Sequence, residues 1–321
     1  MDAAVETPHG EGPAPDSKLM EAGAPPTGVH MTLDAYKRAE QDLEQIAQET
    51  QSFMKTAMDR LHTANSNTSS QSKRSTKTAK SGPAHGQMSE VDALLALTDM
   101  SPKSIPQKPV VESLVLSSLV LTAFAFSSFV GSYLAFPVIN TLIQPIGACL
   151  MSAIVIPVAL HLQLSNGAHG AFAGLRLLLA AGIVQGLLTG AAIAHTELSS
   201  EPIIILSTLT ASFSISAASL GSRHHALAAS IGSSVVSHLL IGFFKGFNFP
   251  YIGLTLAYTA AAALPIQMAA RDQNKANVHQ YTAISVAITV AAKSFMYGIA
   301  GASTFAGEAH LAHGATPQLA M

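Results

Sequence analysis

The sequence predicts an all-α integral membrane protein built as a bundle of seven transmembrane helices. Only 11% of its 321 residues are charged, and its mean hydropathy is +0.35. Apolar stretches of about 20 residues, the length of helix that crosses roughly 30 Å of hydrocarbon, recur from residue 110 onward. Acidic residues are almost absent from the same region, since the only ones after position 111 are Glu112, Glu197, Glu201, Asp272 and Glu308.

The apolar stretches form a membrane domain over residues 88–301, which a tail of residues 302–321 follows. The seven predicted spans cover residues 112–134, 138–162, 174–194, 202–221, 225–246, 250–270 and 281–301. Phe136-Pro137 separates the first two spans. All the connections are short, so neighbouring helices should run antiparallel in one compact bundle. Ala, Ser and Gly dominate several of the helices, and small residues let helix backbones approach closely in lipid.

Three segments precede this domain. Residues 1–31 are rich in Pro, Gly and Ala, which predicts disorder because they cannot bury enough surface to offset their conformational entropy. Residues 32–62 have apolar side chains at three- and four-residue steps, which predicts an amphipathic helix. That helix would pair with a coiled-coil partner or lie on the membrane or on the bundle itself. Residues 63–87 read as a flexible basic linker.

The distribution of cations predicts the orientation. Lys and Arg in short loops mark the cytosolic side of a membrane protein. The predicted N-terminal side holds six of them, Lys103, Lys108, Arg176, Arg223, Arg271 and Lys275, against Lys245 on the other side. We therefore expect a cytosolic N-terminus. Seven full spans would make the C-terminus lumenal, whereas a sixth or seventh segment that re-enters would move it to the other side.

Composition also excludes several classes of function. A formal net charge of -2 argues against nucleic acid as a partner, because phosphate binding needs a concentrated excess of Lys and Arg. Cys149 is the only cysteine, which rules out an intramolecular disulfide and any CxxC motif. The sequence predicts no cofactor and no metal, and it predicts the lipid bilayer as a partner.

Ionisable or polar residues within the spans are the candidate functional sites, because burying them in a membrane is costly. His238 lies among serines in the fifth span, where it would act as a proton or pH sensor or hydrogen-bond a neighbouring helix. Lys293 lies in the middle of the last span, and we expect it to snorkel toward the interface. Arg223, His224 and His225 read as a loop cluster that enforces topology.

Enzymatic activity is not expected. The predicted spans contain no aspartate, which excludes an intramembrane aspartyl protease. The sequence has no Gly-x-Ser-Gly placed across from a mid-membrane histidine, and no HExxH motif for a hydrolytic zinc.

Several short motifs follow one another over residues 90–300: Asp92-Ala93-Leu94-Leu95, Ser101-Pro102, Gly131-Ser132-Tyr133, Gly182, Thr189-Gly190, Pro202-Ile203-Ile204, Phe213-Ser214-Ile215-Ser216-Ala217 through Arg223, Tyr251-x-Gly253-Leu254 and Lys293. Their order resembles that of the Bax inhibitor-1 family of membrane proteins. The resemblance implies a seven-helix protein of the endoplasmic reticulum that suppresses programmed cell death, with cell-death proteins as partners, and that lowers the lumenal calcium load.

The sequence departs from that family at its most functional positions. The family carries an aspartate near the end of the sixth span and another in the seventh, whereas this chain has no acid in residues 260–270 and has Ser285 in the seventh. Calcium passage by the family's route is thus in doubt. Two alternative functions remain open: a small-solute or proton transporter that uses His238, and a membrane anchor that recruits partners through residues 32–62.

Overall fold

The structure is a computed structural model that describes residues 28–64, 104–166, 171–218, 222–271 and 277–303. It confirms the all-α prediction. The helices are α1 (Gly28–Ala64), α2 (Gln107–Val130), α3 (Phe136–Leu150), α4 (Ile156–Asn166), α5 (Ala171–Ala192), α6 (Leu206–Ala218), α7 (Arg223–Lys245), α8 (Phe249–Arg271) and α9 (Val278–Ala300). Two short strands, β1 (Thr196–Glu197) and β2 (Ala302–Ser303), pair antiparallel. Most of the predicted disordered segment 1–31, linker 63–87 and tail 302–321 lies outside the described residues, as do the motifs at 92–95 and 101–102. Residues 28–31 and 63–64 are instead part of α1, and residues 302–303 form β2.

Helices α2, α3 and α4 form one apolar helical run of 59 residues, Gln107–Ser165, which is interrupted in three places. Two π-helical turns, Gly131–Ala135 and Met151–Val155, join its parts. The real break is at Gln144, whose φ of 62° and ψ of 157° lie far from helical values. Pro145 explains the break, because a proline disfavours the α conformation in the residue before it.

The predicted separator Phe136-Pro137 is therefore wrong, and the chain turns eight residues later than expected. Pro137 falls in the first turn of α3, directly after the π-helical turn Gly131–Ala135, and the helical run continues through it. After the break the chain runs back toward its starting end, because Ser152 lies against Gln185 and Thr189 of α5 and Leu164 shares a cluster with Leu175.

Helices α2 and α5 run parallel with their backbones in close approach. A side chain added at Gly186 would overlap the Phe124 carbonyl oxygen, and one at Gly190 would overlap the Ser128 carbonyl oxygen. Ser132 Oγ donates to the Gly190 carbonyl oxygen at 2.9 Å. The four-residue spacing of Gly182, Gly186 and Gly190 thus forms a groove for α2, as small residues do in membrane helix pairs.

The remaining helices surround α8. Residues from Tyr258 to Ala270 of α8 are almost all buried, and α8 contacts α2, α6, α7 and α9. Asn248 begins α8 by accepting a hydrogen bond from the Tyr251 N–H, and Asn277 begins α9 in the same way. Helix α6 has only 13 residues, shorter than the predicted span 202–221, because residues 201–205 in front of it are not helical.

Helix α1 lies across one end of the bundle. Thr32 bonds Ser216, and Tyr36 bonds Ser118 at 3.2 Å. Ala35 and Ala39 are buried in the contact. Two exposed ion pairs, Arg38–Glu112 and Glu49–Arg176, complete it. Of the arrangements predicted for this segment, residues 31–49 adopt the one in which the helix packs on the bundle; we call this side the α1 end and the opposite side, with β1 and β2, the strand end.

Candidate functional site

The interior of the bundle is polar to an unusual degree. Buried polar side chains include Ser113, Ser117, Ser152, Gln185, Thr189, Ser207, Ser212, Ser230, Ser234, His238, Thr259, Gln267, Thr282, Ser285 and Thr289. Many hydroxyls are satisfied within their own helix, as when Ser117 donates to the Ser113 carbonyl oxygen at 2.8 Å. Others bond across helices and so fix which helices are neighbours.

The largest cross-helix group is centred on His238, which is 0% exposed. His238 Nε2 lies 2.8 Å from Ser207 Oγ on α6, and Ser234 Oγ donates to the same Ser207 oxygen at 2.8 Å. Ser234 also bonds Thr259 of α8 at 2.7 Å, and Tyr251 donates to the His238 carbonyl oxygen at 2.6 Å. We call these five residues the His238 network. In this network His238 forms a hydrogen bond to a neighbouring helix, which is one of the two roles predicted for it.

The Ser207–His238 distance matches that of a serine nucleophile and its base. The rest of a hydrolytic site is missing from the part of the chain that the structure describes. Ser207 and His238 are both buried away from any substrate, and His238 Nδ1 has no hydrogen-bond partner that would orient the ring. The described residues also contain no group of three or more His, Cys, Asp or Glu that could hold a metal ion. The network therefore joins α6, α7 and α8.

Lys293 does not simply snorkel, contrary to expectation. Its Nζ lies 2.6 Å from Glu201 Oε1, and Tyr297 donates to Glu201 Oε2 at 2.7 Å. The Lys293 side chain is 12% exposed and that of Glu201 26%. Lys245 Nζ donates to the Glu201 backbone oxygen. Glu201 thus ties the segment before α6 to α7 and α9 at the strand end.

Arg223 also differs from expectation, because it lies inside the bundle and not in an exposed loop. It is the first residue of α7, it is 2% exposed, and it donates a hydrogen bond to Gln267 of α8. His224 and His225 are exposed beside it, and His225 Nδ1 bonds Ser222 Oγ at 2.6 Å. The three residues therefore do not form one cluster.

Ser285 has a packing role in the structure. Its Oγ donates to the Ala261 carbonyl oxygen of α8 at 2.9 Å. Sequence reasoning missed Glu201, Tyr297, Gln267 and the Ser207–Thr259 part of the His238 network. No pattern along the chain signals these residues, because their partners are 25 to 96 positions away.

The fold and its interior define an all-α bundle with many polar side chains buried in an apolar core, an apolar exterior and an amphipathic helix across one end. The chain matches the family model described as "Interactor of ZYG-11" over residues 12–303, and it belongs to that family. No curated protein and no solved structure matches it.

The family match shows that the resemblance to the Bax inhibitor-1 family is wrong, and the expected roles in cell death and calcium homeostasis have no support. Among the described residues, two of the motifs that carried the resemblance contribute to helix packing. Ser214 Oγ donates to carbonyl oxygens of α6 and α7, and Gly182 lies against Val120 of α2. Small and hydroxylated residues at such spacings are typical of many tightly packed helical bundles, so they do not identify one family.

Proposed function

We propose that this protein spans a membrane seven times and acts by binding a protein partner, without catalysing a reaction. The distribution of side chains carries the proposal, since many polar side chains are buried beside an apolar core and many large apolar side chains are exposed. Exterior side chains more than half exposed include Phe126, Phe129, Leu134, Leu142, Ile146, Val236, Leu240, Phe243, Phe244, Phe249, Leu256 and Phe295. Water-soluble monomers rarely expose contiguous apolar surface on this scale.

The dimensions of this exterior suit a bilayer. Exposed apolar residues on α2 and α3 run from Phe126 to Leu142, roughly 24 Å of helix at about 1.5 Å per residue. The hydrocarbon core is about 30 Å thick. Five helices are long and apolar enough to cross a membrane. The longest reverses at Gln144 and would cross twice, and the short α6 would complete seven crossings.

The charges favour an orientation with the α1 end in the cytosol. Lys108, Arg176, Arg223 and Arg271 all lie at the α1 end of their helices, which is the cytosolic pattern of the positive-inside rule. Lys293 at the strand end is neutralised by Glu201. We propose the endoplasmic reticulum as the membrane, and imaging a tagged chain against organelle markers tests that compartment.

Labelling of single cysteines tests the crossings and the orientation. In a C149A background, K108C places an exposed thiol at the α1 end and E197C places one at the strand end. In sealed microsomes we expect an impermeant maleimide to label K108C at once and E197C only after permeabilisation. Equal labelling of both without permeabilisation would contradict a bundle that spans the membrane.

The family description favours a protein partner, and we propose that the partner is a ZYG-11 protein. Helix α1 is the surface best suited to receive it. Its inner face packs on the bundle, while Asp34, Lys37, Glu40 and Glu44 are exposed on its outer face. A charged helix at the cytosolic level offers a soluble partner contacts that the lipid-facing surface does not.

Binding to purified ZYG-11 protein tests this surface. The full chain in detergent or nanodiscs should bind, and the charge swap K37E/E40K on α1 should weaken binding at least tenfold. E197K is the control, because it reverses an exposed charge at the strand end, away from α1, and should leave binding unchanged. Equal affinity of the two variants would exclude this face of α1, and no binding by the unmodified chain would exclude the partner.

A further inference from the structure

The register of α7 against α8 places Thr255 opposite His238. The two helices run antiparallel, with Ser234 bonded to Thr259 at 2.7 Å. Two turns along α7, a side chain at Gly242 would meet the Tyr251 ring. Because His238 lies midway between Ser234 and Gly242, and Thr255 lies midway between Thr259 and Tyr251, these two side chains face each other.

The hydrogen-bond directions in the His238 network favour one of the two neutral forms of the ring. Ser234 donates to Ser207, so the Ser207 hydroxyl proton is free to point toward His238 Nε2. Nε2 then accepts, and the proton of the neutral imidazole sits on Nδ1. His238 Nδ1 is thus a buried donor, and it has no hydrogen-bond partner.

Thr255 Oγ1, on the facing helix, is buried and has no hydrogen-bond partner either. Buried polar atoms without partners are rare in native proteins, and they are particularly costly where no bulk water can reach them. Tyr251 lies one turn from Thr255 on the same helix, and its hydroxyl oxygen can accept a further hydrogen bond. The register therefore places Thr255 and Tyr251 on the side of α8 that faces His238.

We propose that a single water molecule binds here, between His238 Nδ1, Thr255 Oγ1 and the Tyr251 hydroxyl. It accepts from Nδ1–H and donates to the two oxygens, which gives it the three hydrogen bonds typical of buried water. The site links α7 and α8 at mid-bundle. It is independent of the partner-binding role, because it would exist whether or not α1 receives a partner.

The substitution Thr255→Val should change thermal stability in opposite directions depending on whether the site holds a water molecule (a wet site) or not (a dry site). In a wet site valine removes one partner of the water, and we expect the unfolding midpoint to fall by about 2–4 °C for a chain of this size. In a dry site valine removes an unsatisfied hydroxyl, and the midpoint would rise or stay the same, which would overturn the proposal. Thr289→Val is the control, since that buried hydroxyl bonds only its own helix and its loss should change little.

A second measurement uses the unmodified chain, so it does not depend on whether a variant folds. Nitrogen-15 NMR of the unmodified chain, labelled at histidine, should show His238 as the neutral form protonated on Nδ1, with magnetisation transfer from water to that proton. A proton on Nε2, or the absence of any transfer from water, would overturn the proposal.

Discussion

At the scale of single residues, Gln144 determines the course of the first third of the bundle. With φ of 62° and ψ of 157°, it occupies a region of backbone conformation that is populated almost only by glycine. Its side chain is exposed, so no described contact explains the choice of glutamine. Pro145 imposes the break, and the residue before it bears the strain.

We predict that Gln144→Gly stabilises the protein by about 1 kcal/mol, because glycine adopts this conformation without the steric cost. Gln144→Ala is the control, since it removes the same side chain but keeps the Cβ that causes the strain. Thermal unfolding in detergent, followed by circular dichroism, measures both variants. If glycine and alanine have the same effect, Gln144 is not strained.

At the scale of elements, the pairing of α2 with α5 depends on glycine. Three glycines one helical turn apart bring the two backbones together, and Gln185, on a neighbouring face of α5, donates to the Ser152 carbonyl oxygen at 3.0 Å beside the second π-helical turn. Helix α5 thus holds both α2 and the returning chain. This double contact allows the long apolar run to fold back on itself.

We predict that Gly186→Ala destabilises the protein by about 1–3 kcal/mol, because the new methyl group overlaps the Phe124 backbone, which cannot move aside easily. Gly232→Ala in α7 is the matched control, as a Cβ there meets nothing within 4 Å. It should be stabilising by about 0.5–1 kcal/mol, since alanine favours the helix over glycine. Denaturation in detergent measures both, and a harmless Gly186→Ala would refute the close approach of α2 and α5.

At the scale of the whole molecule, the exterior carries many exposed large apolar side chains, which is unusual for a water-soluble protein. Val236 illustrates the exterior, since it lies near the centre of α7 and is 56% exposed. Because the Val236 side chain makes few packing contacts, the effect of replacing it depends mainly on whether lipid or water surrounds the bundle.

We predict that Val236→Lys lowers the fraction of chain inserted into microsomes, because lysine at the centre of a span costs about 2.5–3.5 kcal/mol. Phe244→Lys, next to the end of α7, should have a much smaller effect because its charge reaches the interface. Resistance to carbonate extraction measures insertion. Normal folding of Val236→Lys in aqueous buffer would contradict the membrane proposal.

The sequence by itself determined the all-α class and the approximate places where most helices begin and end. Long uncharged stretches and helix-breaking residues act locally along the chain, so they can be recognised without knowledge of the tertiary structure. Short motifs were a poor guide to the family, because Gly, Ser and Ala at helical spacings reflect packing that many bundles share.

Only the tertiary structure decided the partners of the polar residues. It paired Lys293 with Glu201, placed Arg223 against Gln267, and joined His238 to Ser207 on another helix. It also showed that the helical run continues through Pro137 but breaks at Gln144, the residue before Pro145. These outcomes depend on which helices lie side by side, and that arrangement follows from close packing over the whole bundle, which no local stretch of sequence contains.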